Sequence, residues 1–230
     1  MIVALGYFKR GFMGVVILLG HQKGGVGKSN TAANMAVAIS KEIFGGDTSD
    51  ILLVDADPQA TLYRWSQRRE DTDMNSFPCI RLDGNITKQI NREAEKYQYV
   101  IIDAAGRDSR EMRSAMLAAD MMLMPTKASR ADLELLEHMA ETVEMSRDYN
   151  PNLNVGVFIN MAPTNSQTEK LTAKNLLKEF PEFKLMQTVI SDRKAHRDSF
   201  SEAKGVHEWK DNKAKSEFSC LLKEVMDVVR

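Results

Sequence analysis

Three glycines, two lysines and a serine crowd into one short stretch near the N-terminus. The stretch reads HQKGGVGKS and occupies residues 21–29, between an apolar run and a helix-forming segment. Glycines let the backbone curl so that successive amide N–H groups point at phosphate oxygens, and the following helix adds partial positive charge at its N-terminus. Lys28 would reach the outer phosphates, and the Ser29 hydroxyl would bind Mg²⁺. The stretch predicts a phosphate-binding loop, with these residues at the nucleotide: Gly24, Gly25, Val26, Gly27, Lys28, Ser29 and Asn30.

The loop differs from the common pattern G-x-x-x-x-G-K-[ST] at its first position. That pattern requires glycine where this chain has Gln22, and an additional lysine, Lys23, precedes the double glycine. This variant resembles the deviant Walker A family, which includes ParA, MinD and the nitrogenase iron protein. In that family the extra lysine crosses a dimer interface to the partner's nucleotide. The resemblance implies a homodimer with two ATP at its interface and a trans role for Lys23. Asn30 replaces the commoner threonine, with little expected effect.

Two carboxylates follow the second apolar run, in the segment VDADPQ at residues 54–59. Side chains two apart on a strand share a face, roughly 7 Å apart, so Asp55 and Asp57 are expected together at the carboxyl edge of the sheet. Pro58 then ends the strand. The D-x-D-P-Q segment is similar to the ParA pattern, which implies that Asp57 orients the attacking water. The same resemblance places Asp55 in the surroundings of the magnesium ion.

A third carboxylate closes the apolar run VIID at residues 100–103. With a phosphate loop upstream, this is a Walker B pattern, and Asp103 is expected to hold Mg²⁺ through water. Gly106 stands where switch loops sense the outer phosphate. The segment 104–107 departs from the proline-containing versions common in the family, so Arg107 is interpreted as a surface residue.

These residues suffice for phosphoryl transfer, which depends mainly on positioning and on neutralising charge. The catalytic candidates are Lys23, Lys28 and Asp57. No arginine stands at a recognisable finger position, so we expect slow ATP hydrolysis gated by dimerisation and by a partner. Asn160 ends the sixth strand, where the resemblance implies a contact with adenine; capping of a turn is the alternative.

Apolar runs typical of strands alternate with amphipathic helical stretches along the whole chain. This alternation predicts an α/β fold with a doubly wound, mostly parallel sheet flanked by helices. The strands are predicted at residues 15–20, 51–55, 78–82, 99–103, 120–125, 154–160 and 184–189. The helices are predicted at residues 29–44, 59–70, 86–97, 108–119, 129–148, 166–179, 193–204 and 211–229.

One domain is predicted over residues 13–230, since no linker or repeat divides the chain. Residues 1–12 are interpreted as a dispensable extension, with Met13 an alternative start. The run VVILL at 15–19 is too short to span a bilayer, and no small-residue cleavage site follows it, so it is interpreted as a buried strand. No helix-turn-helix segment precedes the loop, which is typical of the small ParA form.

Charge is balanced, with 31 basic and 32 acidic residues. Binding to DNA or a membrane would therefore need a local patch. A basic stretch follows the seventh strand, and ParA-like chains contact DNA phosphates near this position; a solvated helix face is the alternative. The candidate DNA contacts are Arg193, Lys194, Arg197 and Lys204.

The resemblance covers the chain from about residue 15. It implies a cytoplasmic, nucleoid-associated ATPase that binds non-specific DNA and drives plasmid or chromosome partition with a ParB-like adaptor. One alternative is a related ATPase that positions another cargo, such as a protein complex or microcompartment. A MinD-like membrane ATPase is disfavoured because the C-terminal helix carries Glu217, Glu224 and Asp227 on its polar side. An iron–sulfur reductase is excluded by the placement of Cys79 and Cys220.

Overall fold

Seven parallel strands form one central sheet in this computed structural model, which describes residues 13–106, 108–127, 135–164, 171, 174–175 and 177–229. The strands are β1 (Val15–Leu19), β2 (Ile51–Ala56), β3 (Cys79–Arg81), β4 (Tyr99–Ala104), β5 (Met121–Thr126), β6 (Asn154–Ala162) and β7 (Lys184–Ser191). All seven predicted strands are confirmed, with ends that shift by at most two residues.

The strand order is β3-β2-β4-β1-β5-β6-β7. Every described pairing is parallel, which confirms the doubly wound α/β prediction. Strand β1 lies between β4 and β5, so the chain leaves it at the centre of the carboxyl edge. Ligands of open α/β sheets bind at such a point.

Helices cover both faces of the sheet. Those that the structure describes are α1 (Lys28–Ile43), α2 (Thr61–Glu70), α3 (Thr87–Ala94), α4 (Arg110–Met116), α5 (Leu135–Arg147), α6 (Lys194–Ser201) and α7 (Asn212–Val229). The predicted start of the fifth helix at 129 and much of the helix predicted at 166–179 lie outside the described residues, as do residues 1–12.

Side chains of each central strand alternate between two apolar layers. In β1, Val16 and Leu18 face the layer under α3, α4 and α5, whereas Ile17 and Leu19 face the layer under α1, α2 and α7. Both layers are closed to solvent, as expected for a parallel sheet covered on both faces. The result is a rigid frame that fixes the loops at the carboxyl edge.

Helix α7 packs into the second layer through Phe218, Leu221, Leu222, Val225 and Met226, which confirms the predicted core role. Two of the acids that the sequence places on the polar side of this helix, Glu217 and Glu224, contact the neighbouring strand β7. Glu217 accepts a hydrogen bond from the Ser191 amide at 3.1 Å, and Glu224 accepts from the amides of Gln187 and Thr188 at 2.6 and 2.7 Å. Both acids therefore satisfy amides of β7, whose outer edge pairs with no described strand. No described helix combines the length and apolar character needed to cross a membrane.

Candidate nucleotide site

The loop between β1 and α1 has a backbone that only glycine adopts readily. Gly25 has φ 74° and Gly27 has φ 94°, both in the left-handed region. Gly27 also has no room for a side chain, because a Cβ there would lie 2.5 Å from Nδ2 of Asn160. The spacing of glycines seen in the sequence thus has a direct structural cause.

Two buried side chains stabilise this loop through hydrogen bonds to its backbone. The ring of His21 accepts a hydrogen bond at Nδ1 from the amide of Lys23, at 2.9 Å. The Asn160 side chain donates through Nδ2 to the carbonyl of Val26, at 2.8 Å, and is 5% exposed. Asn160 therefore supports the loop, and its predicted contact with adenine stays a prediction. Nothing in the sequence singled out the role of His21, apart from its place directly before the motif.

The Lys28 ammonium group lies inside the site. The residue is 7% exposed, and its Nζ donates to the carbonyl of Lys23 at 3.3 Å. Burial lowers the pKa of Lys28, while the nearby charges of Asp103 and Asp57 act in the opposite direction. The structure thus brings together the lysine and two of the carboxylates that the sequence assigned to the same site.

Asp103 is completely buried at the end of β4. Neither of its oxygens meets the geometry of a hydrogen bond to any described residue. Burial raises the pKa of Asp103 to about 7, the neighbouring Ser29 hydroxyl and Lys28 lower it, and the charges of Asp55 and Asp57 raise it further. A buried carboxyl group in this state has unsatisfied acceptors, which a bound cation would satisfy.

Ser29 and Asp103 offer the oxygen donors that Mg²⁺ prefers. Within the described ranges, no three or more His, Cys, Asp or Glu residues cluster as a metal site. Magnesium is commonly held by one or two carboxylates together with the phosphates of its nucleotide rather than by an all-protein cage. The donor set therefore fits a magnesium ion that enters with a nucleotide.

Asp55 lies beside Asp103, in register on the neighbouring strand. Its Oδ1 accepts from the amide of Asp57 at 3.0 Å, and its Oδ2 accepts from the amide of Tyr63 at 2.8 Å. Asp55 thus holds the turn that leads into α2. Asp57 is half-buried, and its Oδ1 accepts from the amide of Gln59 at 2.8 Å. A metal role for Asp55 and a water-orienting role for Asp57 stay predictions.

A cleft of about 710 Å³ opens above these groups. Its walls include the glycines of the loop, Lys28, Ser29, Asn30 and Asp57, as the sequence predicted. Gly106 closes one side, since a Cβ on it would lie 3.0 Å from the backbone of Gly24. Arg107 lies outside the described residues.

Sequence reasoning missed four residues of the wall, namely Thr61, Ser109, Glu111 and Phe200. Phe200 belongs to α6 and stacks on Trp65 of α2, with ring centroids 6.1 Å apart. Asn30 also reaches α6, because its Nδ2 donates to the carbonyl of His196 at 2.9 Å. Helix α6 thus borders the cleft, a long-range arrangement that carries no local sequence signal.

A family model described as the CobQ/CobB/MinD/ParA nucleotide binding domain matches residues 17–206. The chain belongs to this family. Its loop, its buried Asp103 and its parallel sheet are therefore those of a nucleotide-binding protein of the ParA/MinD type.

The sequence identity between this chain and individual relatives is low. The chain is 29% identical over 204 residues to the maintenance of carboxysome distribution protein A of Gloeobacter kilaueensis, covering 87% of each chain. It is 26% identical over 202 residues to the chromosome partitioning protein ParA of Myxococcus xanthus, covering 69% of this chain and 70% of the relative. Among solved structures, an ATP complex of a variant of McdA from Cyanothece superposes with a TM-score of 0.76 at 17% identity, over 94% of this chain and 98% of that one.

The basic residues predicted to touch DNA are gathered around α6, but acids within the chain accompany three of them. Arg193 binds Glu217 at 2.8 Å, Lys194 binds Asp198 at 2.6 Å, and Arg197 pairs with Asp192. The side chains of Lys194 and Arg197 are 81% and 64% exposed, whereas that of Arg193 is 22% exposed. Exposed pairs contribute little stability and exchange easily, so Lys194 and Arg197 are the better placed for a phosphate. Lys204 follows α6, with its amide bonded to the Ser199 carbonyl at 2.8 Å.

Proposed function

We propose that the protein is an ATP hydrolase that dimerises around two ATP molecules and uses this cycle to position a cargo. The observation that carries the proposal is the second lysine of the phosphate loop. Lys28 already places one ammonium group in the site of its own chain, and the family resemblance assigns the second lysine, Lys23, to the nucleotide of a partner subunit. Dimerisation would then depend on ATP.

Each residue of the site has a distinct part in hydrolysis. The backbone amides of residues 24–29 and Lys28 bind the phosphates, and Asp57 orients the attacking water. Ser29 and Asp103 would hold Mg²⁺, which neutralises phosphate charge when it is bound. With positioning and charge neutralisation alone, turnover is slow until dimerisation and an adaptor complete the site.

The cargo is a plasmid or chromosome, recruited by a ParB-like adaptor, while the ATP-bound dimer holds non-specific DNA of the nucleoid in the cytoplasm. Lys194 and Arg197 are the proposed phosphate contacts, since the ion pairs that they make are exposed. A membrane-bound MinD-like role is less well supported, because the apolar residues of α7 are buried in the core.

Positioning of another cargo is the second candidate function. The relative with similarity over 87% of both chains is a carboxysome distribution protein. This favours a protein complex or microcompartment as cargo, moved by the same ATPase. The gene neighbourhood would separate the two candidates, since a small adaptor gene and repeated DNA sites beside this gene favour partition.

Co-sedimentation with DNA, with and without Mg²⁺-ATP, tests the proposal. The unaltered protein should sediment with random-sequence DNA only when ATP is present. Lys23→Ala should abolish this retention and the ATP-dependent dimer while ATP still binds in calorimetry; Lys223→Ala, an exposed change on α7, should behave as the unaltered protein. A chain that binds ATP and stays monomeric under all conditions contradicts the proposal.

A further inference from the structure

A second concave surface runs between α4 and α5. This α4–α5 groove has a volume of about 820 Å³. The α4 side of the groove is lined by Arg110, Arg113 and Ser114, and by Leu117 directly after the helix. The α5 side is lined by a row of residues that consists of His138, Thr142, Met145 and Tyr149. The spacing within each wall is helical, so each wall is a helix face that continues into the residues just after the helix: Leu117 after α4 and Tyr149 after α5.

The groove contains three of the large apolar side chains that the described part of the chain leaves in solvent. Leu117 is 36% exposed, Met145 is 65% exposed and Tyr149 is 81% exposed. Single exposed apolar residues are ordinary, but a group of them in one groove, rimmed by polar residues, marks an interaction site. Methionine and tyrosine are enriched at protein interfaces.

Alongside these residues, α5 and its C-terminal turn carry an acidic stripe. It consists of Glu137, Glu141, Glu144 and Asp148, which are all exposed and recur at helical spacing. Between residues 135 and 150, Arg147 is the only basic residue other than His138, and it pairs with Glu144 at 2.7 Å. On the opposite wall Arg113 pairs with Asp108, and the charge of Arg110 acts on the adjacent carboxyl group of Glu111. Acids therefore outnumber bases along the α5 side of the groove, whereas the charges of the α4 side are balanced.

We propose that the α4–α5 groove docks a basic amphipathic helix of a partner protein. Apolar side chains of that helix pack against Leu117, Met145 and Tyr149, and its lysines or arginines lie along the acidic stripe. Helix α5 has 13 residues, which makes the groove about 20 Å long and matches three to four helical turns of a partner.

The position of the groove connects docking with hydrolysis. Its lining also includes Gln22, the residue before Lys23, and Asp108, two residues after Gly106. The groove therefore adjoins both segments that border the nucleotide cleft, and a helix docked in it would lie beside them. This inference rests on the proposed function and deepens it, because it gives the stimulating adaptor a binding surface and a chemistry.

The test uses the full chain with Mg²⁺-ATP and a synthetic Lys/Leu amphipathic peptide of about 18 residues that carries one benzophenone group. Binding is measured by fluorescence anisotropy, and cross-links are mapped by mass spectrometry. We expect cross-links on α4 and α5, and no binding by a matched peptide with glutamate in place of lysine. Glu137→Lys/Glu141→Lys should weaken binding about tenfold at low salt, and Met145→Ser/Tyr149→Ser about as much with little dependence on salt.

The control variant Asp73→Lys/Asp227→Lys changes two exposed acids on the opposite face and should bind as the unaltered protein. The proposal is overturned if both groove variants bind the peptide as tightly as the unaltered protein does, or if the cross-links map outside α4 and α5. So does a loss of the ATP-dependent dimer in Met145→Ser/Tyr149→Ser, which would assign the groove to a second copy of this chain. If DNA retention depends on ATP while the groove variants bind normally, only the docking proposal fails. If the chain hydrolyses no ATP at all, the cross-links still report on the groove.

Discussion

At the nucleotide site the charged side chains are buried with few partners, whereas around α6 they are matched within the chain. Asp103 is fully buried with no hydrogen bond to a described residue, and Lys28 donates to a carbonyl at 3.3 Å. By contrast, Glu217 of α7 binds Arg193 and both the amide and hydroxyl of Ser191. The same residue types thus have few partners within the chain in one region, and are paired with other residues of the chain in the other.

This difference follows from the energetics of buried charge. An ionised group without partners destabilises the free protein, and a ligand that supplies the missing charge restores that stability on binding. A charge that already has its partners stabilises the free protein and has less to gain from a ligand. Variants in the two regions should therefore have opposite effects on stability and activity.

The largest expected effect is the loss of hydrolysis in Asp103→Asn. Removing this carboxylate should lower kcat by about 100-fold or more, because it takes away charge that holds the magnesium ion. The unfolding free energy of the ligand-free variant, measured by urea denaturation in EDTA at pH 8, should equal or exceed that of the unaltered protein. The pKa of Asp103 is raised to about 7, so its ionised form destabilises the fold at pH 8. An exposed control, Asp73→Asn, should change neither quantity, and a marked loss of stability in Asp103→Asn would break the comparison.

Glu217→Gln should show the reverse pattern, with an intermediate effect. Burial acts against ionisation of Glu217, but His196, Arg193 and Ser191 lower its pKa to about 2. A depressed pKa stabilises the fold above the unfolded value near 4.5, and this stabilisation is lost as the pH falls towards 2. The variant should lose roughly 2–3 kcal/mol of unfolding free energy at pH 7 and progressively less below pH 4.5.

The measurement is urea denaturation of both proteins across this pH range, with ATP affinity by calorimetry as the control. The affinity should stay within about twofold, since Glu217 makes its contacts with β7 and α6 rather than with the cleft. A destabilisation that is the same at every pH would show that shape rather than charge makes Glu217 important.

The two regions also differ in what the sequence could predict. The phosphate loop was predictable because its function dictates local backbone torsions, which only residues such as Gly25 and Gly27 satisfy. The strands were predictable because continuous apolar runs match a sheet that is covered on both faces. Each of these signals is contained within a few consecutive residues.

Pairing between distant residues leaves no such signal. Nothing near Glu217 or Glu224 indicates that both accept hydrogen bonds from amides of β7, so these contacts could not be predicted. Asn160 was placed at the correct strand end, but its amide bonds with Val26, which is 134 positions away. Basic residues in a sequence likewise do not reveal whether an acid lies beside them, so the candidate DNA contacts could not be assigned with the precision of the loop.

The smallest expected effect is that of Arg197→Glu. This variant tests whether every charged residue around α6 only stabilises the fold. Arg197 is 64% exposed and pairs with Asp192, so its loss should change the unfolding free energy by less than about 0.5 kcal/mol. If Arg197 exchanges Asp192 for a DNA phosphate, its loss should weaken ATP-dependent DNA binding several-fold and reduce the slope of log affinity against log salt by about one. Titrations by fluorescence anisotropy at several salt concentrations measure both quantities, with Lys223→Glu as the exposed control. An unchanged slope would mean that the charged residues around α6 stabilise the fold only, and that any binding of DNA by the chain uses another surface.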